Sequence, residues 1–185
     1  MLIVEKLPLT VLQTNCYIAA CTEANDAIIV DPGEYDERIA QIVSENSLKV
    51  HYIFITHGHF DHTGGLDEVK RKFGGEVLSG GGITDGKVVN NGDTVPLGQF
   101  QCMVLSTPGH TPDSLSLVIG DHLFAGDALS AGAVGGTAGR VQHEQLTDSI
   151  RDNIFPLGDH VRIYTGHGPC TTVGIERVYN PFFHK

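Results

Sequence analysis

The chain has 185 residues, of which 41% are hydrophobic and 18% are charged. This length predicts a single domain over residues 1–185 with a sizeable core. The formal net charge of −10, from 12 basic and 22 acidic residues, argues against nucleic acid or an anionic membrane as the partner. No apolar run reaches the ~18–20 residues of a membrane helix, and the N-terminus does not resemble a signal peptide, so we expect a cytoplasmic protein.

The four cysteines, Cys16, Cys21, Cys102 and Cys170, form no Cys-x-x-Cys pair. Neither a zinc ribbon nor a thioredoxin motif is therefore indicated. A secreted disulfide framework is not expected without a signal peptide. We predict free thiols that are mostly buried, with Cys170 as the exception because it lies three residues from His167.

The first third of the chain predicts strands and one helix, and a second helix is predicted directly after the histidine-rich stretch at residues 56–65. Helical spacing of apolar residues predicts a helix in EYDERIAQIVSEN (34–46), and GLDEVKRKFGG (65–75) predicts a short helix ended by two glycines. Between them, VHYIFIT is an almost uninterrupted apolar run, which is typical of a strand buried on both faces. The predicted strands are the apolar runs at residues 1–7, 16–21, 27–30 and 50–56.

The rest of the chain repeats this order of strands followed by a helix. HEQLTDSIRDNIFPL (143–157) has the helical period, and GDHLF (120–124) is typical of a tight hairpin. A last short helix is predicted before the terminal NPFFHK. The repetition predicts two sheets between outer helices. The predicted strands lie within residues 75–78, 93–97, 100–109, 114–120, 122–127 and 161–169.

Metal ligands are indicated by THGHFDHTGG (56–65), which places three histidines around an aspartate directly after a predicted buried strand. Three later segments, TPGHT, FAGD and TGHG, also follow predicted strands and carry one more candidate each. Because a rigid sheet positions the loops at its strand ends, we expect these side chains to meet. The seven candidates are His57, His59, Asp61, His62, His110, Asp127 and His167.

The chemistry of these seven side chains predicts the kind of site. Imidazole and carboxylate suit zinc, iron or manganese better than calcium or magnesium. Seven ligands are too many for one tetrahedral ion, so the set predicts two divalent ions that share a bridging carboxylate. Two metals about 3.5–4 Å apart lower the pKa of water between them and polarise the bond under attack. The sequence therefore predicts a hydrolase that uses a metal-bridging hydroxide.

The same residues resemble the signature of the metallo-β-lactamase superfamily. Its His-x-His-x-Asp-His motif matches residues 57–62, and VDPG (30–33), TPGHT, GD, GHGP and NPFF extend the similarity over most of the chain. The resemblance implies an α/β fold, a four-layer αββα sandwich with the metals at one edge of the sheets. The implied ligands are His57, His59 and His110 for the first metal, Asp61, His62 and His167 for the second, and Asp127 for both.

With an aspartate at position 127, the ligand set resembles that of the glyoxalase II-like branch of the family rather than that of the zinc β-lactamases. The implied activity is hydrolysis of a small-molecule thioester or related acyl bond, as in a hydroxyacylglutathione hydrolase. Asp61 and Asp127 would be the catalytic carboxylates, with Asp61 orienting the hydroxide as well as binding metal. The two ions would be zinc, with iron or manganese as alternatives. The oligomeric state is left open.

Three departures from the family pattern concern the substrate. The helical C-terminal extension of full glyoxalase II, which helps to bind glutathione, is not expected here. The stretch after Asp127 is longer than usual and reaches Arg140, which would contact an anionic substrate or form a surface salt bridge. We expect its Gly-rich part, 131–139, to be a mobile wall of the active site, whereas Gly-rich 79–86 predicts only a loop. Asp113 stands where glycine is usual.

Three alternative functions stay open on the sequence. A mononuclear iron persulfide dioxygenase resembles the same motif and uses only His57, His110 and Asp127. A lactone or β-lactam hydrolase would act on the same scaffold. A protein that keeps a metal only for structure is the third, although structural zinc sites are usually closed and rich in cysteine.

Overall fold

Six strands from the first half of the chain form one mixed sheet in a computed structural model that describes residues 1–83 and 86–184. In chain order and in sheet order they are β1 (Leu2–Pro8), β2 (Asn15–Cys21), β3 (Asp26–Val30), β4 (Lys49–Phe54), β5 (Glu76–Ser79) and β6 (Lys87–Val88). β1, β2 and β3 pair antiparallel, and β3 to β6 pair parallel. Of the Gly-rich stretch predicted as a loop, Thr84 and Asp85 lie outside the described residues.

A second six-stranded sheet is built from the second half of the chain. Its strands, in sheet order, are β14 (Thr171–Thr172), β13 (Arg162–Thr165), β10 (His122–Gly126), β9 (Leu115–Ile119), β8 (Phe100–Ser106) and β7 (Thr94–Leu97). All neighbours pair antiparallel except β10 and β13, which are parallel. A separate hairpin, β11 (Leu129–Ser130) and β12 (Ala133–Val134), follows β10.

The two sheets pack face to face over one apolar core. Tyr17, Phe54, Val104, Leu117 and Phe124 belong to this core, and none is more than 2% exposed. The strands β2 and β9 are buried along their whole length, because one face meets the other sheet and the opposite face meets helices. This double burial explains why such strands read as continuous apolar runs.

Helices cover the outer face of each sheet. α1 (Glu37–Glu45) and α3 (Leu66–Phe73) pack on the first sheet, with Ile39 and Val69 fully buried. α4 (Arg140–Ser149), a π-helical turn (Ile150–Ile154), a 3₁₀ turn (Phe155–Leu157) and α5 (Val173–Tyr179) pack on the second. The layer order is helix, sheet, sheet, helix, so the predicted αββα sandwich is confirmed.

The structure corrects three of the predicted elements. A short helix, α2 (Phe60–Thr63), lies inside the histidine cluster, which the sequence predicted as a loop. α4 begins at Arg140 rather than at residue 143, and it gives way to a π-helical turn from Ile150 and a 3₁₀ turn from Phe155. The predicted loop 131–139 contains strand β12.

The cysteine prediction is confirmed. Cys16, Cys21 and Cys102 are buried free thiols, and Cys170 is a free thiol that is partly exposed. Within the described residues, no helix is long and apolar enough to cross a membrane.

Because the core lies between the sheets, a Val→Ala substitution should lower the free energy of unfolding more at a buried site than at an exposed one. Val104→Ala on β8, at a fully buried site, should lower the free energy of unfolding by about 2 kcal/mol, since two methyl groups leave a packed core. Val141→Ala on α4, where the residue is 72% exposed, should change it by less than about 0.5 kcal/mol. Urea unfolding at fixed metal concentration measures both, and equal losses would contradict this description of the core.

Candidate metal centre

The seven predicted ligands come together at one edge of the sandwich. His57 follows β4, His59 precedes α2, and Asp61 and His62 lie on α2. The other three come from loops of the second sheet: His110 lies between β8 and β9, Asp127 follows β10, and His167 follows β13. The candidate centre is therefore shared between the two sheets.

The first group of ligand atoms comprises His57, His59 and His110. His59 Nδ1 lies 3.1 Å from His57 Nε2 and 3.1 Å from His110 Nε2. His57 is buried, His110 is partly buried and His59 is exposed. Three imidazole nitrogens thus converge on one small space that opens to solvent on the His59 side.

The second group comprises Asp61, His62 and His167. Asp61 Oδ2 lies 3.5 Å from His62 Nε2 and 3.3 Å from His167 Nε2. Asp127 stands between the two groups: its Oδ1 is 3.6 Å from both His62 Nε2 and His167 Nε2, and its Oδ2 is 3.5 Å from His110 Nε2. One carboxylate thus presents one oxygen to each group.

These residues fit a pair of cations. His62 Nε2 and Asp127 Oδ1 are buried, and neither has a hydrogen-bond partner among the described residues. Buried polar atoms normally have a partner, so two orphans that face each other indicate a missing ligand. Each imidazole nitrogen makes one hydrogen bond in the plane of its ring, so a shared proton pairs only two of the three converging nitrogens of His57, His59 and His110 and leaves the third without a partner. Metal cations would give every one of these lone pairs a partner.

The nitrogens that face away from the centre are held by hydrogen bonds. His62 Nδ1 donates to Asp31 Oδ2 at 2.8 Å, and His110 Nδ1 donates to the carbonyl oxygen of Gly136 at 2.6 Å. His57 Nδ1 lies 3.1 Å from Thr56 Oγ1, which itself donates to Asp31 Oδ2 at 2.7 Å. Each bond keeps the proton on Nδ1 and leaves Nε2 free as a ligand.

Sequence reasoning missed two of the residues that orient this centre. Asp31 is 2% exposed and accepts hydrogen bonds from Thr56 and His62. Thr14 is fully buried and donates to Asp61 Oδ2 at 2.9 Å. The VDPG motif at the end of β3 was a usable signal for Asp31, since an aspartate there lies at the same sheet edge as the histidine cluster. Thr14 carried no signal that we can identify.

Electrostatics differ among the ligands. Burial lowers the pKa of His57 to about 4, with repulsion from His62 adding to the effect, so this imidazole is neutral. For Asp127, burial raises the pKa, but electrostatic attraction to the nearby imidazoles of His167 and His62 outweighs it, and the pKa falls to about 2. A neutral imidazole and an ionised carboxylate are the forms that bind metals.

Two other imidazoles, those of His62 and His167, show the opposite shift. The Asp127 carboxylate, whose Oδ1 lies 3.6 Å from His167 Nε2, raises the pKa of His167. Burial alone lowers the pKa of His62, but Asp31, Asp127 and Asp61 together raise it above its ordinary value. Without a metal, this pocket therefore favours positive charge, which is the electrostatic condition for binding cations.

Glycine makes the close packing around Asp127 possible. A Cβ at Gly166 would overlap Asp127 Oδ1 and lie 3.0 Å from His62 Cε1. A Cβ at Gly135 would overlap the carbonyl oxygen of Asp127 and lie 3.1 Å from His110 Nδ1. The Gly-rich loop thus forms a wall of the site at residues 135 and 136.

The structure places Arg140 on the surface. Its side chain is 90% exposed and its Nε lies 2.8 Å from Glu144 Oε1, one turn along α4. The salt bridge that the sequence left open is therefore observed, and a contact with substrate stays a prediction. Asp113, which stands where the family usually has glycine, is partly buried. Its Oδ2 would lie 3.7 Å from a Cβ built on Gly58, the residue between His57 and His59 in the chain.

Comparison with known proteins identifies the class. A family model for the metallo-beta-lactamase superfamily matches residues 9–83. The hydroxyacylglutathione hydrolase GloC of Haemophilus influenzae is 32% identical, over 98% of this chain and 98% of its own length. The chain belongs to the metallo-β-lactamase superfamily, and the resemblance read from the sequence is confirmed. Its members are metal-binding hydrolases and related enzymes that process small molecules.

Solved structures agree with this assignment. The BLEG-1 B3 metallo-beta-lactamase superimposes with a TM-score of 0.87 at 31% identity, over 99% of this chain and 100% of that one. ETHE1 from Myxococcus xanthus gives a TM-score of 0.87 at 32% identity, over 97% of this chain and 83% of that one. Two differently named proteins thus share the fold of this chain to the same degree.

Asp31 generates a sharp test of the centre. In Asp31→Asn, the amide oxygen still accepts from the Thr56 N–H, but an NH₂ group replaces the oxygen that accepts from His62 Nδ1. We expect metal affinity to fall about 10–100-fold, as for other substitutions of residues that orient ligands.

Competition with a chelator measures that affinity. Asp36→Asn is the matched control, because Asp36 caps α1 at its N-terminus and asparagine caps helices equally well. Unchanged affinity in Asp31→Asn would show that the Asp31–His62 bond does not support metal binding.

Proposed function

We propose that the chain is a dinuclear metal-dependent hydrolase that acts on a thioester or a related acyl bond. The observation that carries this proposal is the position of Asp127 between two ligand groups, with one oxygen facing each. An arrangement of this kind suits two ions that share a carboxylate. The similarity to the hydroxyacylglutathione hydrolase GloC supports a thioester as the substrate class.

The proposed ligands follow the two groups. His57, His59 and His110 would hold one ion, Asp61, His62 and His167 the other, and Asp127 both. Zinc is the preferred metal, and iron or manganese would accept the same ligands. When bound, the metals supply Lewis-acid chemistry, which lowers the pKa of water and polarises the carbonyl group under attack.

The chain's own residues then have defined tasks. Thr14 donates to Asp61 Oδ2 and so fixes the orientation of this carboxylate. Asp61 would orient the attacking water and accept its proton. Water adds to the acyl carbon, the carbon–sulfur bond breaks, and the products are a carboxylic acid and a thiol. No serine or cysteine nucleophile is needed.

Hydrolysis of S-lactoylglutathione and simple thioesters should depend on Asp127. Asp127→Asn should lower kcat/KM at least about 100-fold, because the amide cannot bridge two cations as a charged carboxylate does. Asp121→Asn, the same change at a surface residue that pairs with His160, should retain activity. Removal of metal by a chelator should abolish hydrolysis, and added Zn²⁺ should restore it. Activity that survives both metal removal and Asp127→Asn would refute the proposal.

A mononuclear iron persulfide dioxygenase is the second candidate, and the similarity to ETHE1 is compatible with it. That reaction would need His57, His110 and Asp127 but not His167. His167→Ala should therefore abolish dinuclear hydrolysis and spare oxygen consumption with glutathione persulfide by the iron-loaded protein. Oxygen uptake by the parent protein without thioester hydrolysis would favour this candidate.

A lactone or β-lactam hydrolase would use the same metals, and the similarity to BLEG-1 makes this a candidate to be tested. A lactone and a β-lactam belong in the same substrate panel as the thioesters. The ratio of kcat/KM values across the panel identifies the substrate class.

Arg140 can be tested on the same panel. If Arg140 contacts an anionic substrate, Arg140→Ala should raise KM for S-lactoylglutathione and leave KM for an uncharged thioester unchanged. If the side chain only pairs with Glu144 at the surface, both KM values should stay the same, since exposed ion pairs contribute little.

A further inference from the structure

A buried carboxylate on the C-terminal helix holds the hairpin that follows Asp127. Glu176, on α5, is 1% exposed. Its Oε2 accepts hydrogen bonds from the Gly132 N–H at 2.9 Å and from Asn180 Nδ2 at 2.8 Å, and its Oε1 accepts one from Thr171 Oγ1 at 2.6 Å. A buried carboxylate is costly without donors, and these three bonds supply them. The bond from the Gly132 N–H also holds the hairpin close to α5.

Asn180 holds the same hairpin at a second point. It is 1% exposed, and its Nδ2 donates to the Ala133 carbonyl oxygen at 3.1 Å as well as to Glu176. Its Oδ1 accepts from the Phe182 N–H at 3.1 Å, which fixes the orientation of the amide. Gly132 and Ala133 lie at the turn between β11 and β12. The hairpin is therefore attached to α5 at its turn.

The other end of the hairpin reaches the metal centre. Directly after β12, the Gly135 N–H donates to the Ala128 carbonyl oxygen at 3.4 Å. The Gly136 carbonyl oxygen then accepts from His110 Nδ1 at 2.6 Å. His110 Nδ1 faces away from the centre, and among the described residues this carbonyl is its only hydrogen-bond partner. The orientation of the His110 ring thus depends on where the hairpin places Gly136.

We propose that Glu176 and Asn180 are positioning residues for the metal centre. They fix the hairpin so that the Gly136 carbonyl keeps His110 Nε2 directed at the other ligands of its group. The inference rests on the proposed function, because the position of His110 matters only if His110 binds a metal. His62, in the second group, is oriented by Asp31 from the first sheet, so the effect is confined to the group that contains His110.

The test compares two substitutions of Glu176 in the full chain. Glu176→Ala leaves the Gly132 N–H and the Thr171 hydroxyl without their acceptor and removes one of the two acceptors of Asn180 Nδ2, so it should weaken Zn²⁺ binding at the His110 group about 10-fold. Binding at the group of Asp61 should not change. Glu176→Gln should bind both ions within about 2-fold of the parent, because its oxygen still accepts and its NH₂ group can donate to the Thr171 hydroxyl. Calorimetric titration with Zn²⁺ measures both sites.

A control separates positioning from general loss of stability. Ile39→Ala removes a fully buried side chain on α1, on the far side of the first sheet, and leaves the hairpin contacts intact. It should destabilise the fold without changing Zn²⁺ affinity. Equal loss of affinity in Ile39→Ala and Glu176→Ala would overturn the proposal, and so would unchanged affinity in Glu176→Ala.

A second measurement needs no metal. Hydrogen exchange of the Gly132 amide should be slow in the metal-free parent and in Glu176→Gln, and fast in Glu176→Ala. If Gly132 exchanges fast in the parent, Glu176 does not hold the hairpin and the inference is wrong. If His110→Ala binds Zn²⁺ as the parent does, the proposed ligand set fails, and this inference fails with it. If Gly132 exchanges slowly in the parent and Glu176→Ala still binds Zn²⁺ as the parent does, the inference is overturned, whereas the proposed function is not.

Discussion

The buried carboxylate of Asp31 is the interaction on which the metal centre depends. One of its oxygens accepts from His62 Nδ1 and from Thr56 Oγ1, and the other accepts from the Thr56 N–H. Thr56 Oγ1 in turn contacts His57 Nδ1. A single carboxylate thus orients one histidine in each ligand group, and its own burial requires that all of these donors be in place.

Parallel strand pairs explain how these residues meet. In the first sheet, Val30 on β3 is in register with Phe54 on β4, so Asp31 and the residues after β4 leave the sheet side by side. In the second sheet, β10 and β13 are its parallel pair, which brings the loops of Asp127 and His167 together. Side chains at the carboxyl ends of parallel strands share one edge of a sheet. The sandwich places these two edges against each other.

The fold determines the geometry of the metal centre, but it does not determine which substrate the centre acts on. GloC, BLEG-1 and ETHE1 resemble this chain to a similar degree, although their names denote different proteins. A fold with its site can host several reactions, and the surrounding loops select among them. Here those loops include the wall at residues 135 and 136, held by α5, and the departure at Asp113 beside the histidine cluster.

The sequence by itself determined the layered fold and the seven ligand candidates. The spacing of apolar residues indicates strands and helices, because burial of one or two faces leaves a local pattern in the sequence. The cluster of candidate ligands at residues 57–62 is also local. Sequence reasoning missed α2 and the true start of α4, because no apolar period marks a single helical turn or the polar first turn at Arg140.

The family resemblance already implied which side chains share a ligand group, but only the tertiary structure decided which residues orient them. Asp31 lies 31 residues from His62, and Glu176 lies 44 residues from Gly132. Hydrogen bonds of that kind depend on strand register and on how helices pack over a sheet, and neither leaves a periodic signal in the chain. The residue types along the chain therefore determine the chemistry of the centre, and long-range packing determines its geometry.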